Sequence, residues 1–154
     1  MKTFTIVAHK PESFDYCRGC VTETYSGGFE ICHNVDAEKA IVYAAELLAR
    51  PIRVNEVGFD ICFMTVHEGQ MLSFDQDGKR QSPIPEDESV EDRENLEKQI
   101  RAFVEALWVK VDSFIVRRVN EQIEREEREA AERKARQEAD EREILRKLKE
   151  KYKA

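Results

Sequence analysis

The chain has 154 residues, with 25 Lys and Arg against 32 Asp and Glu for a formal net charge of −7, and 41% of its residues are apolar. That length allows one small domain with an extension but not two large domains, and the acidic balance lacks the surplus of cations that phosphate neutralisation demands. With no apolar leader at its start and no apolar run near the roughly 18 residues of a spanning helix, the expected residence is the cytoplasm, and neither membrane nor nucleic acid is an expected partner.

The averages hide a division. Apolar residues are concentrated before Ile123, so the first part can bury a core and the last part cannot. Charge is also local: residues 86–97 hold seven acids with only Arg93, whereas from Lys98 onward 16 basic residues stand against 13 acidic ones.

In chain order, Thr3 to His9 alternates with Phe4, Ile6 and Ala8 on one side and reads as a strand, which Pro11 ends because it has no N–H to donate. Val21–Tyr25 and Phe29–His33 are β-prone runs around Ser26-Gly27-Gly28, whose glycines suit a tight turn, so the pattern predicts a hairpin there. Asp36 caps a predicted helix through Arg50: Ile41, Ala44, Ala45 and Leu48 recur at helical spacing, and Pro51 closes the segment. Residues 53–57 read as extended. So does Phe59–His67, with Phe59, Ile61, Phe63 and Thr65 on one face and Cys62, Met64 and Val66 on the other, a two-sided apolar pattern that suits a central strand. Glu68-Gly69-Gln70 turns into a strand over Met71–Phe74, and Asp75-Gln76-Asp77-Gly78 is another turn.

After the proline-punctuated residues 81–85, an acidic stretch suits a helix start near Glu86 or Val90, where carboxylates meet the positive end of the macrodipole. Leu96, Ile100, Phe103, Val104, Leu107, Val111, Phe114, Ile115, Val119 and Ile123 form an apolar stripe at spacings of three and four, widened by Trp108, Val109 and Val116. From Glu124 to Asp140 the stripe shrinks to alanines among Glu and Arg residues of high helix propensity. Ile144, Leu145, Leu148 and Tyr152 then restore it, and the final lysines suit a helix C-terminus. The expected fold is therefore α+β: a mainly antiparallel sheet with one packed helix over residues 1–80, a linker over 81–89, and a long helix over 90–154. That helix is striped to about residue 123, charged beyond it, and suited to a coiled coil.

Cys17-Arg18-Gly19-Cys20 is the most specific local motif, because two thiolates two residues apart can grip one Zn²⁺. Cys32 and His33 are the candidates to complete a tetrahedral site, although no second C-x₂-C accompanies them. The plainer reading makes all four cysteines ordinary thiols, with Cys32 and Cys62 as small buried hydrophobes. The order strand, loop, C-x-x-C also resembles the opening of glutaredoxin-like folds, which implies a reactive first cysteine at a helix N-terminus. Here the residues from Val21 are β-prone, so that activating dipole is missing.

His9, His33 and His67 stand apart, no G-x-S-x-G or phosphate-binding glycine motif occurs, and Asp60 and Glu68 near His67 more simply face water. Phe14, Tyr16 and Tyr25 could stack bases but have more acids than cations beside them. The expectation is accordingly a non-enzymatic protein-binding module without a cofactor. It would be an inhibitor or adaptor of accessory or viral type that occludes a larger partner, with a homodimer through the long helix as an added prospect. Candidate contact residues are Phe103, Leu107, Trp108 and Phe114 on the stripe, and Ile144, Leu145, Leu148 and Tyr152 near the end. The alternative is a regulatory domain held by one zinc ion at Cys17, Cys20, Cys32 and His33, with a thiol redox protein behind it.

Overall fold

The computed structural model describes residues 3–17, 20–25, 27–52, 56–86 and 88–152, and for residues 13–17 and 20–25 the description covers the backbone alone. The elements in order are β1 (Phe4–Lys10), β2 (Ser13–Cys17), β3 (Cys20–Tyr25), β4 (Gly28–Val35), α1 (Ala37–Leu48), β5 (Asp60–His67), β6 (Gln70–Asp75) and α2 (Val90–Lys151). The fold is α+β, as the sequence pattern indicates. The chain divides into two compact units, Met1–Phe114 and Ile115–Ala154, and the boundary falls inside α2. Residues 90–114, grouped by the sequence pattern with the helical extension, thus belong to the same unit as the sheet.

Four strands form an antiparallel sheet in the order β4-β1-β5-β6, while β2 and β3 pair separately. β1 and β5 are the inner strands, the position that the two-sided apolar pattern of β5 predicts. The expected hairpin about Ser26-Gly27-Gly28 is not the one formed. β3 pairs back on β2, closed by Cys17 opposite Cys20, and β4 pairs with β1. The last pair of one ladder is Lys10 with Gly28 and the first of the next is Ser13 with Tyr25, three residues further on each strand, so one register runs through the break. Pro11 lies at that break, where it has no ladder bond to spoil. Gly27 is required there because a Cβ would sit 2.6 Å from the Lys10 carbonyl oxygen and 2.9 Å from the Glu12 nitrogen. The glycine is needed for close approach of two backbones and not for a turn. Near the other end of β1 the register shifts between Phe4 and Ile6, and on β4 Asn34 takes φ 53°, the left-handed geometry that asparagine tolerates at a bulge.

Of the predicted strand over 53–57, residues 53–55 lie outside the described residues and Glu56 and Val57 are not in a strand. Asp36 does cap α1, its carboxylate accepting from the Lys39 N–H at 2.9 Å, which holds its pKa below the usual value. The β5–β6 turn at Glu68-Gly69 has both residues at positive φ, 50° and 83°, as a two-residue hairpin with the strands' twist requires.

One face of the sheet carries the core. Phe4, Ile6 and Ala8 of β1, Ile61, Phe63 and Thr65 of β5, and Leu72 and Phe74 of β6 are buried on it. The hydroxyl of Thr65 donates to the Thr3 carbonyl at 2.6 Å, so its burial leaves no unmet donor. α1 settles on β1 and β4 through Ala40, Ala44 and Ala45, small side chains that let a helix approach closely. The first half of α2 covers the remainder through Leu96, Ile100, Phe103, Leu107, Val111 and Phe114. The Phe103 ring lies 4.8 Å from that of Phe4, 5.0 Å from Phe63 and 5.6 Å from Phe74, making one aromatic cluster between helix and sheet. α1 and residues 90–114 of α2 occupy the same face.

Candidate interaction surfaces

The opposite sheet face follows from the register. Across the strands run the row Ile31, Val7, Cys62, the neighbouring row Phe29, His9, Asp60, and towards β6 the pairs Met64 with Ser73 and Val66 with Met71. Phe29 is 70% exposed, Met71 61%, Val66 59% and Ile31 53%, while Val7, Cys62 and Met64 are half-buried by their neighbours. The His9 ring stacks on Phe29 at 4.7 Å. This is an apolar sheet face with α1 and residues 90–114 of α2 on its other side. Burial pushes the Cys62 thiol above its ordinary pKa, and the Asp75 carboxylate across the strand adds to the effect, so the group is a poor thiolate.

A second feature is an open groove of about 840 Å³ between residues 77–84 and the first turns of α2. Trp108, 38% exposed, forms part of its wall, and the indole N–H is fixed by donation to the Gln76 carbonyl at 3.2 Å. The turn beneath is built on Asp75, whose carboxylate accepts from the Asp77 and Lys79 N–H groups at 3.0 and 2.8 Å, and on Gly78 at φ 82°. Arg80 makes two 2.9 Å bonds to Glu88, which also meets Arg93 at 3.7 Å, and Ser89 then starts α2 by accepting from the Asp92 N–H at 3.1 Å. These contacts hold the connection against the helix, and the groove walls alternate cations and acids without a dominant sign.

Of the contact residues expected from the stripe, Phe103, Leu107 and Phe114 are buried in the protein's own core at 7%, 0% and 9% exposure, so they are not open to a partner. Trp108 remains accessible. Within the second unit Ile144, Leu145, Leu148 and Tyr152 are all exposed, at 45% or more.

Of the four expected metal ligands, only Cys32 and His33 have described side chains. Cys32 packs against the core and His33, next along β4, is exposed, as alternation on a strand dictates. The side chains of Cys17 and Cys20 lie outside the described residues, as do those of Phe14, Tyr16 and Tyr25, and among the described residues no group of three His, Cys, Asp or Glu is placed to hold a metal. Asp60 and His67 sit at opposite ends of β5, about 23 Å apart at strand rise, so they form no acid–imidazole pair.

The other shifted groups belong to one structural contact. Arg50 donates to Glu30 at 2.6 and 3.3 Å and Tyr43 at 3.4 Å, tying the end of α1 to β4. The guanidinium holds the Glu30 carboxyl below its usual range, while burial and the same carboxylate push the Tyr43 phenol up. Lys10 pairs with Glu56, and both Lys10 and Arg50 lie over the Phe59 ring, at 6.0 and 5.3 Å from its centroid.

The pattern of residues missed the apolar sheet face because half of it lies on β4 and β6, where alternation alone does not show which side the helices cover. The available signal was the second apolar face of β5. Comparison with protein-family models, curated proteins and solved structures found no match to this chain. No helix among the described residues is long and apolar enough to cross a membrane.

Proposed function

We propose that the protein is a non-enzymatic binding module that lays the open face of its four-stranded sheet on a larger protein and occludes a surface there. The observation that supports this reading is the set of exposed apolar residues Phe29 and Ile31 on β4, Val66 on β5 and Met71 on β6, with Val7, Cys62 and Met64 half-buried between them, on the face opposite α1 and residues 90–114 of α2. Aromatic residues and methionine are enriched at interface cores, and pairing within the sheet holds the face ordered before binding. The setting in this reading is the cytoplasm, where Cys32 and Cys62 remain thiols.

The test compares the wild type with an Ile31→Lys/Val66→Lys variant as baits, followed by titration of the recovered protein in purified form. Both positions are solvent-facing, so the variant should keep its thermal midpoint while affinity falls by at least about a hundredfold, as loss of an interface centre does. Equal affinity of the two baits overturns the assignment of the face. A wild type whose self-association is relieved by the substitutions overturns the larger-partner reading.

A second reading, one zinc ion at the hairpin end, is favoured by a single observation: the backbone sets Cys17 directly opposite Cys20. Native mass spectrometry decides it. An equimolar zinc adduct lost on Cys17→Ser supports the site, and a metal-free mass after purification in zinc removes it.

A further inference from the structure

Beyond Lys10 the sheet narrows to a ribbon. β5 pairs with β1 only from Phe4 to His9, and among the described residues β2 and β3 form a sheet of two strands. A two-stranded hairpin by itself is marginally stable, and this one sets Asp15 directly opposite Glu23, a like-charge pair that weakens it further. Its base is pinned by the close backbone approach at Gly27. Its tip, beyond the register shift between Asp15 and Tyr16, is closed by Tyr16 opposite Val21 and Cys17 opposite Cys20. Directly paired residues of antiparallel strands have Cα atoms about 4.5 or 5.5 Å apart, according to whether the pair is hydrogen-bonded. Both values fall within the roughly 4.4 to 6.8 Å that a disulfide spans. The other two cysteines are placed differently: Cys32 is opposite Ile6 and Cys62 opposite Val7, so β1 lies between them and they occupy opposite faces of the sheet. Two strand spacings, about 9.5 Å, exceed what a disulfide bridges.

We propose that Cys17 and Cys20 are a reversible dithiol–disulfide pair that locks the ribbon tip when oxidised and frees it when reduced. The oxidant is a low-molecular-weight disulfide of the glutathione type. One thiolate of the pair attacks it, forming a mixed disulfide and releasing one glutathione thiolate. The second cysteine then attacks the protein sulfur of that mixed disulfide and releases the other glutathione. The pair thereby gives up two electrons and two protons, and one glutathione disulfide becomes two glutathione thiols. In a reducing compartment such a bond is transient and redox-sensing. What it controls is order, because a cross-link between Cys17 and Cys20 removes the open conformations of the tip. The disulfide needs nothing beyond the pair that the register brings together, whereas tetrahedral zinc at the same sulfurs needs two further ligands. The inference is independent of the sheet-face reading and competes with the zinc reading for the same thiols.

The experiment equilibrates the full chain in glutathione buffers of graded oxidation, traps free thiols by alkylation and maps the peptides by mass, with amide hydrogen exchange followed on both forms. The expected product is an intramolecular disulfide between Cys17 and Cys20, two hydrogens lighter than the dithiol, with Cys32 and Cys62 alkylated once the chain is unfolded. Amides of β2 and β3 should exchange about tenfold more slowly in the oxidised form, with β1 and β5 unchanged. Cys17→Ser/Cys20→Ser should exchange at the reduced rate in every buffer, which ties the change to this bond. A pair that stays reduced, or that ends as mixed disulfides with glutathione, overturns the proposal, as does a disulfide that leaves exchange in the ribbon unaltered. Equimolar zinc on the reduced chain that blocks the oxidation also overturns it, in favour of the metal. Ile31→Lys/Val66→Lys should oxidise as the wild type does, so failure of the sheet-face reading and failure of this one are told apart.

Discussion

The two halves of α2 share a backbone and differ in what holds them. In residues 90–114 every third or fourth side chain enters the core, and Leu96, Ile100, Phe103, Leu107, Val111 and Phe114 are all 9% exposed or less. In the second unit Ile115, Val119 and Ile123 continue the same spacing at 45–51% exposure, and local Arg–Glu pairs four residues apart take over. Such exposed pairs contribute about 0.3 to 0.5 kcal/mol each. A helical stripe therefore says where a helix is, and says nothing of where its cover ends.

The largest expected effect tests whether packing alone separates the halves. Phe103→Ala removes the ring shared by Phe4, Phe63 and Phe74 and should cost about 3 to 5 kcal/mol in urea unfolding, whereas Val109→Ala, at a site 71% exposed in the same half, should stay within about 0.5 kcal/mol. Comparable losses would break the comparison, because burial would no longer be what distinguishes the positions. Ala131→Pro sharpens it from the other side. Proline deletes a helical hydrogen bond and clashes with the preceding turn, at a local cost of about 3 kcal/mol. Far-ultraviolet helicity should fall while the unfolding transition followed by Trp108 fluorescence holds its midpoint, measured dilute enough to keep chains apart. A moved midpoint would show that the second unit supports the first.

How much was legible in the residues divides along the same line. The periodicity of β1, α1, β5 and β6 marked them because each has one face in a core, and Asp36, Pro51 and Glu68-Gly69 mark their ends by local chemistry that needs no tertiary knowledge. The β2–β3 pairing was not legible. Gly27 and Gly28 satisfy the local rule for a turn, and only the approach of Lys10 and Glu12 to Gly27, a contact with residues fifteen or more positions away, shows that the glycine serves another purpose. The stripe of α2 was visible throughout, but its division between core and solvent depends on the extent of the sheet. The apolar face of the sheet was hidden for the same reason: alternation reveals two faces of β5, and strand order decides which one the helices cover.

That lesson about Gly27 is itself testable and comes next in size. Gly27→Ala forces a methyl against two backbone atoms that cannot swing aside and should cost about 1 to 3 kcal/mol. Gly28→Ala, with nothing within 4 Å of its added Cβ, should be near neutral. If both substitutions behave alike, conformational freedom and not close approach explains the pair, and the glycines return to a turn-like role.

The smallest effect concerns the contact of Glu30 with Arg50, which joins sheet and helix in the first unit much as the Arg–Glu pairs join successive turns in the second. Arg50 and Glu30 are 48% and 36% exposed, so solvent screens them and the pair should be worth about 0.5 kcal/mol. Because the folded state holds the Glu30 pKa below 4.5, the contribution is full above that value and disappears as pH falls through the folded value. Glu30→Gln should accordingly unfold at slightly lower urea than the wild type at pH 7, with the gap closing as pH falls below 4.5. A gap that persists in acid would assign the effect to neutral hydrogen bonding with Tyr43. A gap much larger than that of Arg128→Ala would show that bridging two elements strengthens an exposed pair beyond what bridging two turns of one helix can do.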